Sequence, residues 1–180
     1  MSAQSLRRRR IARFSNAVAA ICALLTAVAP LLVFLSALFM PLGDLAKFGG
    51  LTVEYPGFDD GVRLPLAIAG LFATLPLSFG LIRLAACFHG FARGALFSPE
   101  TISGLRDFAG AALLWTLLRP VFTAISSLIL SSGAPEGSRQ LVVQLNGDAV
   151  LLAIFALGVL IGSWVLTEAS ALSEENAQFI

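Results

Sequence analysis

The segment FSNAVAAICALLTAVAPLLVFLSALFMPL, residues 14–42, contains no charged residue and decides the class of this protein. A helix needs about 20 mostly apolar residues to cross a bilayer core about 30 Å thick. Residues 64–82 and 149–167 are also uncharged, and residues 108–130 carry a single charge, Arg119. The sequence therefore predicts an all-α membrane protein, a bundle of four transmembrane helices.

The composition agrees with this class. Hydrophobic residues make up 57% of the chain and charged residues 13%, whereas about 25% of a soluble domain is charged. The net charge of +1 gives no reason to expect direct binding of nucleic acid. A length of 180 residues predicts a single membrane domain, residues 1–180.

The ends of the predicted helices follow local signals. The third helix should start at Ser98-Pro99-Glu100, because serine caps a helix, proline suits its first position and glutamate suits its positive end. A basic segment, 1–13, precedes the first helix, and a polar tail, 173–180, follows the last. The apolar run continues well past an Ala-Val-Ala triplet at 27–29, so we expect an uncleaved first span rather than a signal peptide. The four predicted helices cover about residues 14–40, 64–93, 99–132 and 148–172.

Basic residues predict the orientation, because lysine and arginine near helix ends stay in the cytoplasm. Eight of them fall on the side of the two termini and three on the other side. We therefore expect cytoplasmic termini. The eight are Arg7, Arg8, Arg9, Arg10, Arg13, Arg83, Arg93 and Arg106, and the three are Lys47, Arg63 and Arg139.

The two outer loops contain strand-like segments. Residues 51–55 and 141–145 are rich in β-branched residues or alternate in polarity, and Gly, Pro and Asn bound them. We predict that the two segments pair as a small extracytoplasmic β ribbon.

Small residues mark the faces at which helices pack closely in lipid. The first helix carries Ala19 and Ala23, in a series of small residues spaced by four, and the fourth carries Gly158 and Gly162 as a GxxxG motif. One interpretation is packing within a single bundle, and the other is a homodimer seam through the two glycines.

No arrangement of residues points to catalysis. His89 and Cys87 lie two positions apart and would face different sides of a helix, and a zinc site needs three or four protein ligands. Motifs for nucleotide binding and for metalloproteases are absent from the sequence. We therefore expect a protein that is not an enzyme and has no catalytic, cofactor-binding or metal-binding residues.

Arg119 breaks the membrane pattern about halfway along the third span. An arginine at the centre of a helix costs about 2.5–3.5 kcal/mol on insertion scales. One interpretation is a shifted helix whose arginine reaches an interface. The other is an inward structural or ligand-binding role.

The segments LIRL (81–84), GALFSPE (94–100) and LR (105–106), with the tail SEENAQFI (173–180), resemble motifs of a known family. The chain resembles the bacterial membrane proteins catalogued as domain of unknown function 2975 (DUF2975) over most of residues 10–180. The resemblance implies four membrane helices in the bacterial inner membrane and no catalytic residues. It also suggests a context in which some members partner small helix-turn-helix regulators.

Two functions remain open. The first is a regulatory or accessory protein that binds a cytoplasmic regulator or another membrane protein through its inner loop and tail, with Glu174 or Glu175 near Arg93 or Arg106. The simpler interpretation of that tail is a solvated terminus. The second function is a subunit of a small oligomeric transporter or channel, with Arg119 lining the path.

Overall fold

The part of the chain that the structure describes is helical and contains four long helices. The structure is a computed structural model and describes residues 3–48, 60–95, 97–132, 141–143 and 147–178. Four helices in these ranges are long and apolar enough to cross a membrane, which confirms the predicted helical class and number of spans. The elements are α1 Ala3–Phe39, α2 Leu42–Phe48, a 3-10 helix Asp60–Val62, α3 Arg63–Ala92, α4 Pro99–Leu130 and α5 Gly147–Gln178.

The first and last helices are longer than their apolar runs. Helix α1 begins at Ala3 instead of near residue 14, and α5 continues to Gln178 instead of ending near residue 172. The first extension contains alanine, leucine and arginine, and the second contains glutamate, glutamine and alanine. These residues favour helix, and no glycine or proline interrupts either extension. Residues 3–13 of the basic segment and residues 173–178 of the polar tail are therefore helical.

The turn between α3 and α4 is closed by local hydrogen bonds. Gly94 has a φ of +83°, and the N–H groups of Gly94 and Ala95 donate to the carbonyl oxygens of Phe91 and Gly90, both at 3.0 Å. This pattern ends a helix and requires a left-handed residue, for which glycine is preferred. The hydroxyl of Ser98 then accepts from the N–H of Thr101, starting α4 where the sequence predicts.

The long helices lie side by side in chain order. Helix α1 packs on α3, α3 on α4, and α4 on α5, and no comparable contact joins α1 to α5 within the described ranges. The structure is therefore an open row of helices instead of a closed bundle. We call the end that carries the start of α1, the α3–α4 turn and the end of α5 the basic end.

Glycines allow the close approach of α3 to α4. A Cβ atom added at Gly80 would lie 2.9 Å from a side chain of α4, and one at Gly104 would lie 2.8 Å from the carbonyl oxygen of Arg83. At Gly90 an added Cβ would collide with the hydroxyl of Thr101. Close backbone contact through small residues is how helices associate in lipid.

Arg63 joins α1 and α3 at the opposite end of the row. Its Nη1 donates to the carbonyl oxygens of Leu38 and Met40 at 3.0 and 2.9 Å, and its Nε donates to Oδ1 of Asp60 at 2.8 Å. The last carbonyls of a helix lack partners within the helix, so Arg63 satisfies the end of α1. Beside it lies a buried apolar cluster of Leu42, Ala46, Val62, Leu66 and Leu130.

The predicted β ribbon is not observed. Its first segment, 51–55, and residues 144–145 of its second lie outside the described residues. Residues 141–143 are described and form no strand. Instead, the N–H of Val142 donates to the hydroxyl of Ser127 at 3.1 Å, and its side chain packs against the apolar cluster. Contact with α4 therefore satisfies the N–H of Val142, which strand pairing would otherwise have done.

Candidate functional site

Arg119 has two partners in the structure. Its Nη1 lies 3.9 Å from Oδ2 of Asp148, in the first turn of α5. Its guanidinium carbon lies 5.6 Å from the ring centroid of Trp115, one turn earlier on α4. The Arg119 side chain is 40% exposed, so it lies at the edge of the α4–α5 contact and not inside the row. An ion pair and an aromatic face both favour a cation that has lost water.

This ion pair lies about halfway along the apolar part of α4, residues 108–130. Arg119 follows Asp107 by twelve residues and precedes Leu130 by eleven. At 1.5 Å per residue these separations are about 18 and 16 Å. Since a bilayer core is about 30 Å thick, Arg119 is nearly as far from both surfaces as a residue of α4 can be.

The ion pair also shows where α5 lies along α4. Helix α5 begins beside Arg119 and not beside Leu130, so α5 is displaced along α4 toward the basic end. Val142, which contacts Ser127, lies on the path of the chain to this start. The sequence offered no sign of the displacement, because the register between two helices is not a local property.

A second ion pair lies near the basic end and was not predicted. The Nη2 and Nε atoms of Arg83 on α3 both lie 2.7 Å from Oδ2 of Asp107 on α4. The two residues are at similar distances from the turn that joins their helices. Antiparallel pairing across that short turn was therefore a signal that could have identified them. Arg83, counted as a topology signal, thus also fixes α3 against α4.

Arg93 and Arg106 line different grooves at the basic end. Arg93 lies in a groove of about 490 Å³ between α1 and α3. Arg106 lies in one of about 420 Å³ between α4 and α5, beside Thr167 and Ser170. Neither arginine has an ion-pair partner among the described residues. From the sequence, both arginines were expected at the inner loop between α3 and α4. In the structure they lie in grooves between different pairs of helices.

Glu174 and Glu175 lie on α5, which runs as a continuous helix to Gln178. Ser170 is beside the first turn of α4, so the two glutamates belong to the next turn of α5, past the start of α4. The backbone of the tail therefore extends away from the row up to Gln178. The side chains of residues 173–180, and the predicted ion pairs with Arg93 or Arg106, lie outside the described residues.

The predicted packing residues have different environments. Ala19 is fully buried against α3, whereas Ala23 is exposed. Residues spaced by four turn about 40° per step around a helix, so the series leaves the contact face after Ala19. Gly158 and Gly162 are exposed, and Cβ atoms added to them would meet nothing within 4 Å.

His89 and Cys87 face different sides of α3, since Cys87 is fully buried and His89 is exposed. Within the described ranges, no group of three or more His, Cys, Asp or Glu side chains is arranged to hold a metal ion. The geometry thus provides ion pairs, grooves and exposed apolar faces, which are features suited to binding.

Comparisons with known proteins give one result that bears on identity. Neither the curated proteins nor the solved structures contain a match to the chain. The family model described as "Protein of unknown function (DUF2975)" matches residues 48–180, which include α3, α4 and α5. This range covers well over half of the chain and contains the motifs of the α3–α4 turn. The chain therefore belongs to the DUF2975 family.

Proposed function

We propose that this protein is a regulatory or accessory membrane protein that acts by binding a partner protein at its basic end. The observation that carries the proposal is the length of α5. Helix α5 passes the start of α4 at Ser170 and continues to Gln178, about 12 Å farther at 1.5 Å per residue. A helix that projects from a membrane row offers a surface to a second protein.

The groove beside this projection supports the same function. It is lined by Arg106, by Glu100 and by hydroxyl groups of Ser103, Thr167 and Ser170. Arg106 has no described carboxylate partner, so it is available to a partner's acidic group. Charges of both signs beside hydroxyl groups suit a specific protein contact. The partner is a cytoplasmic regulator or another membrane protein, and the role requires no cofactor and no catalysis.

The proposal includes the membrane in which the protein lies and its orientation there. The excess of basic residues at the basic end favours a cytoplasmic location for both termini, and the resemblance to bacterial membrane proteins favours the inner membrane. Single cysteines placed at Gln4 and at Lys47 in a variant without Cys22 and Cys87 test this. A membrane-impermeant maleimide added to spheroplasts should label position 47 and leave position 4 unlabelled. The reverse pattern would invert the orientation.

The decisive experiment is a cross-linking pull-down from native membranes. A photo-crosslinking amino acid at Ser170 in the full chain should capture a discrete partner protein. Arg106→Glu should reduce the yield several-fold. Lys47→Glu, the same charge reversal at the opposite end, should leave it unchanged. Recovery of no protein other than this chain would contradict the proposal.

A subunit of a small transporter or channel is the second candidate, because the Arg119–Asp148 pair lies far from both ends of α4. An open row encloses no path, so a path would have to form between copies. A homodimer through Gly158 and Gly162, whose face of α5 is free, would bring two rows together. Homo-oligomers that conduct ions in planar bilayers, with no captured partner, would favour this candidate over the first.

A further inference from the structure

A groove between α1 and α3 at the basic end combines polar side chains with small ones. It is lined by Asn16 of α1 and by Ala86, His89, Ala92 and Arg93 of α3 and its end, and its volume is about 490 Å³. The two alanines leave room beside three groups that donate hydrogen bonds: an amide, an imidazole and a guanidinium. The proposed protein contact, at Arg106 and the end of α5, does not involve this groove.

The surroundings of the groove are strongly positive. Neither α1 nor α3 contains an aspartate or a glutamate. Arg9 and Arg13 lie seven and three residues before Asn16 and thus on nearly the same face of α1. Neither of them, nor Arg93, has an ion-pair partner among the described residues. These positive charges therefore remain uncompensated within the described structure.

The face of α3 that carries His89 becomes apolar toward the middle of the row. Ile82, seven residues before His89, is 54% exposed, and Phe79 and Leu75 continue the same face at 54% and 57%. The exposed face of α3 that borders the groove thus passes from cationic to apolar within about two turns of helix, and its Phe79 and Leu75 also line the neighbouring groove toward α4. A ligand that fits it along its length has an anionic head and an apolar body.

The depth of the groove corresponds to lipid headgroups. Arg83 ends the uncharged run of α3, and Ala86 and His89 lie about 5 and 9 Å beyond it at 1.5 Å per residue. The headgroup layer occupies about 5–8 Å on each side of the hydrocarbon core. An acidic peptide would match the charges but would make no use of the exposed apolar face below them.

We propose that this groove binds the phosphate group of an anionic phospholipid, with its acyl chains along Ile82 and Phe79. Arg93, His89 and Asn16 donate hydrogen bonds to the phosphate oxygens. Arg9 and Arg13 add positive potential at the mouth of the groove. The bound lipid would fill the groove between α1 and α3 and fix the basic end relative to the membrane surface.

The test is native mass spectrometry of the full chain in detergent with phosphatidylglycerol or phosphatidylcholine of identical acyl chains. We expect preferential retention of phosphatidylglycerol. Arg93→Gln should weaken it about five-fold, the effect of one basic residue near an anionic surface. Arg10→Gln is the matched control. It removes the same charge at the same end from another face of α1, and should have a much smaller effect.

Ala86→Phe provides a second variant that fills the groove and alters no charge. It should reduce phosphatidylglycerol retention at least as much as Arg93→Gln, with an unchanged thermal unfolding midpoint. Equal retention of the two lipids, or equal losses in Arg93→Gln and Arg10→Gln, would overturn the proposal in favour of diffuse attraction. Displacement by millimolar inorganic phosphate would assign the site to a free anion. Displacement by a polyglutamate peptide would assign it to a protein segment.

Discussion

Arg119 and Asp148 form an ion pair that lies far from both ends of α4. An unpaired arginine at such a depth costs about 2.5–3.5 kcal/mol on insertion scales. The carboxylate of Asp148, at 3.9 Å, and the ring of Trp115 offset part of that cost. Asp148 also lies in the first turn of α5, where the helix dipole favours a negative charge. Each of the two residues therefore stabilises the charge of the other.

We expect a measurable coupling between these two residues. In a double-mutant cycle of Arg119→Leu and Asp148→Asn, the free energy of unfolding should show a coupling of about 0.6 kcal/mol, the average for interhelical polar pairs in a membrane protein. The long distance and the exposure of Asp148 argue against a larger value. Chemical unfolding in mixed micelles measures it. A cycle of Arg119→Leu with Glu168→Gln, farther along α5, should show no coupling, and equal values in the two cycles would contradict the pairing.

Gly104 offers a second test at the scale of one residue. A methyl group there would lie 2.8 Å from the carbonyl oxygen of Arg83, a backbone atom that cannot move alone. Gly104→Ala should therefore destabilise the protein by about 1–3 kcal/mol, the usual cost of overpacking. Gly110→Ala is the control on the same helix, because nothing lies within 4 Å of its added Cβ. Thermal unfolding in detergent compares them, and equal midpoints would refute the close α3–α4 approach.

Among the elements, the α3–α4 turn is the best defined by its own sequence. Gly94 supplies the left-handed conformation, and Ser98, Pro99 and Glu100 start the next helix. The short turn then sets the antiparallel register that brings Arg83 to Asp107. The start of α4 was predictable because its capping residues are local. The same local turn also determines a tertiary contact, the Arg83–Asp107 ion pair.

Substitutions at Gly94 test this turn. Gly94→Ala should lower the free energy of unfolding by about 1–2 kcal/mol, the cost of a left-handed conformation for a residue with a Cβ atom. Gly94→Asn should lower it less, because asparagine tolerates that conformation. Reversible unfolding in micelles gives both values. A loss for asparagine as large as that for alanine would show that the left-handed backbone is not the cause.

Helix α5 has two faces that its hydropathy does not distinguish. Ala149, Ala156 and Ser163, spaced by seven, are buried against α4. Gly158 and Gly162 lie on another side with open space around them. A helix that is apolar all round gives no hydrophobic stripe from which to predict its contact face. The motif that the sequence emphasised is therefore not the one that packs within the chain.

For the whole molecule, the open row leaves α1 and α5 with large faces toward lipid or another copy. If Gly158 and Gly162 form a homodimer seam, Gly162→Leu should convert a dimer in mild detergent to a monomer without changing the thermal unfolding midpoint of the chain. Ala156→Leu, on the α4 side, should lower that midpoint instead. Light scattering after size-exclusion chromatography measures the mass. A monomeric mass for the unaltered protein would eliminate the seam.

The sequence by itself determined the four spans and the start of α4. Uncharged runs of about 20 residues, caps and turn glycines act over a few neighbouring positions, so the sequence reveals them directly. The family resemblance rested on similarly local motifs in residues 81–106 and 173–180, and the family match over residues 48–180 confirms it. The excess of basic residues predicted the orientation in the same way, and that prediction awaits the labelling experiment.

Only the tertiary structure decided which helices touch and at what register. It joined Arg119 to Asp148, placed Arg93 and Arg106 in separate grooves, and set Val142 against Ser127. Between helices in lipid there is little hydrophobic force, so contact depends on the fit of small residues and polar pairs across the row. That fit joins residues distant in the chain, and no local pattern in the sequence specifies it.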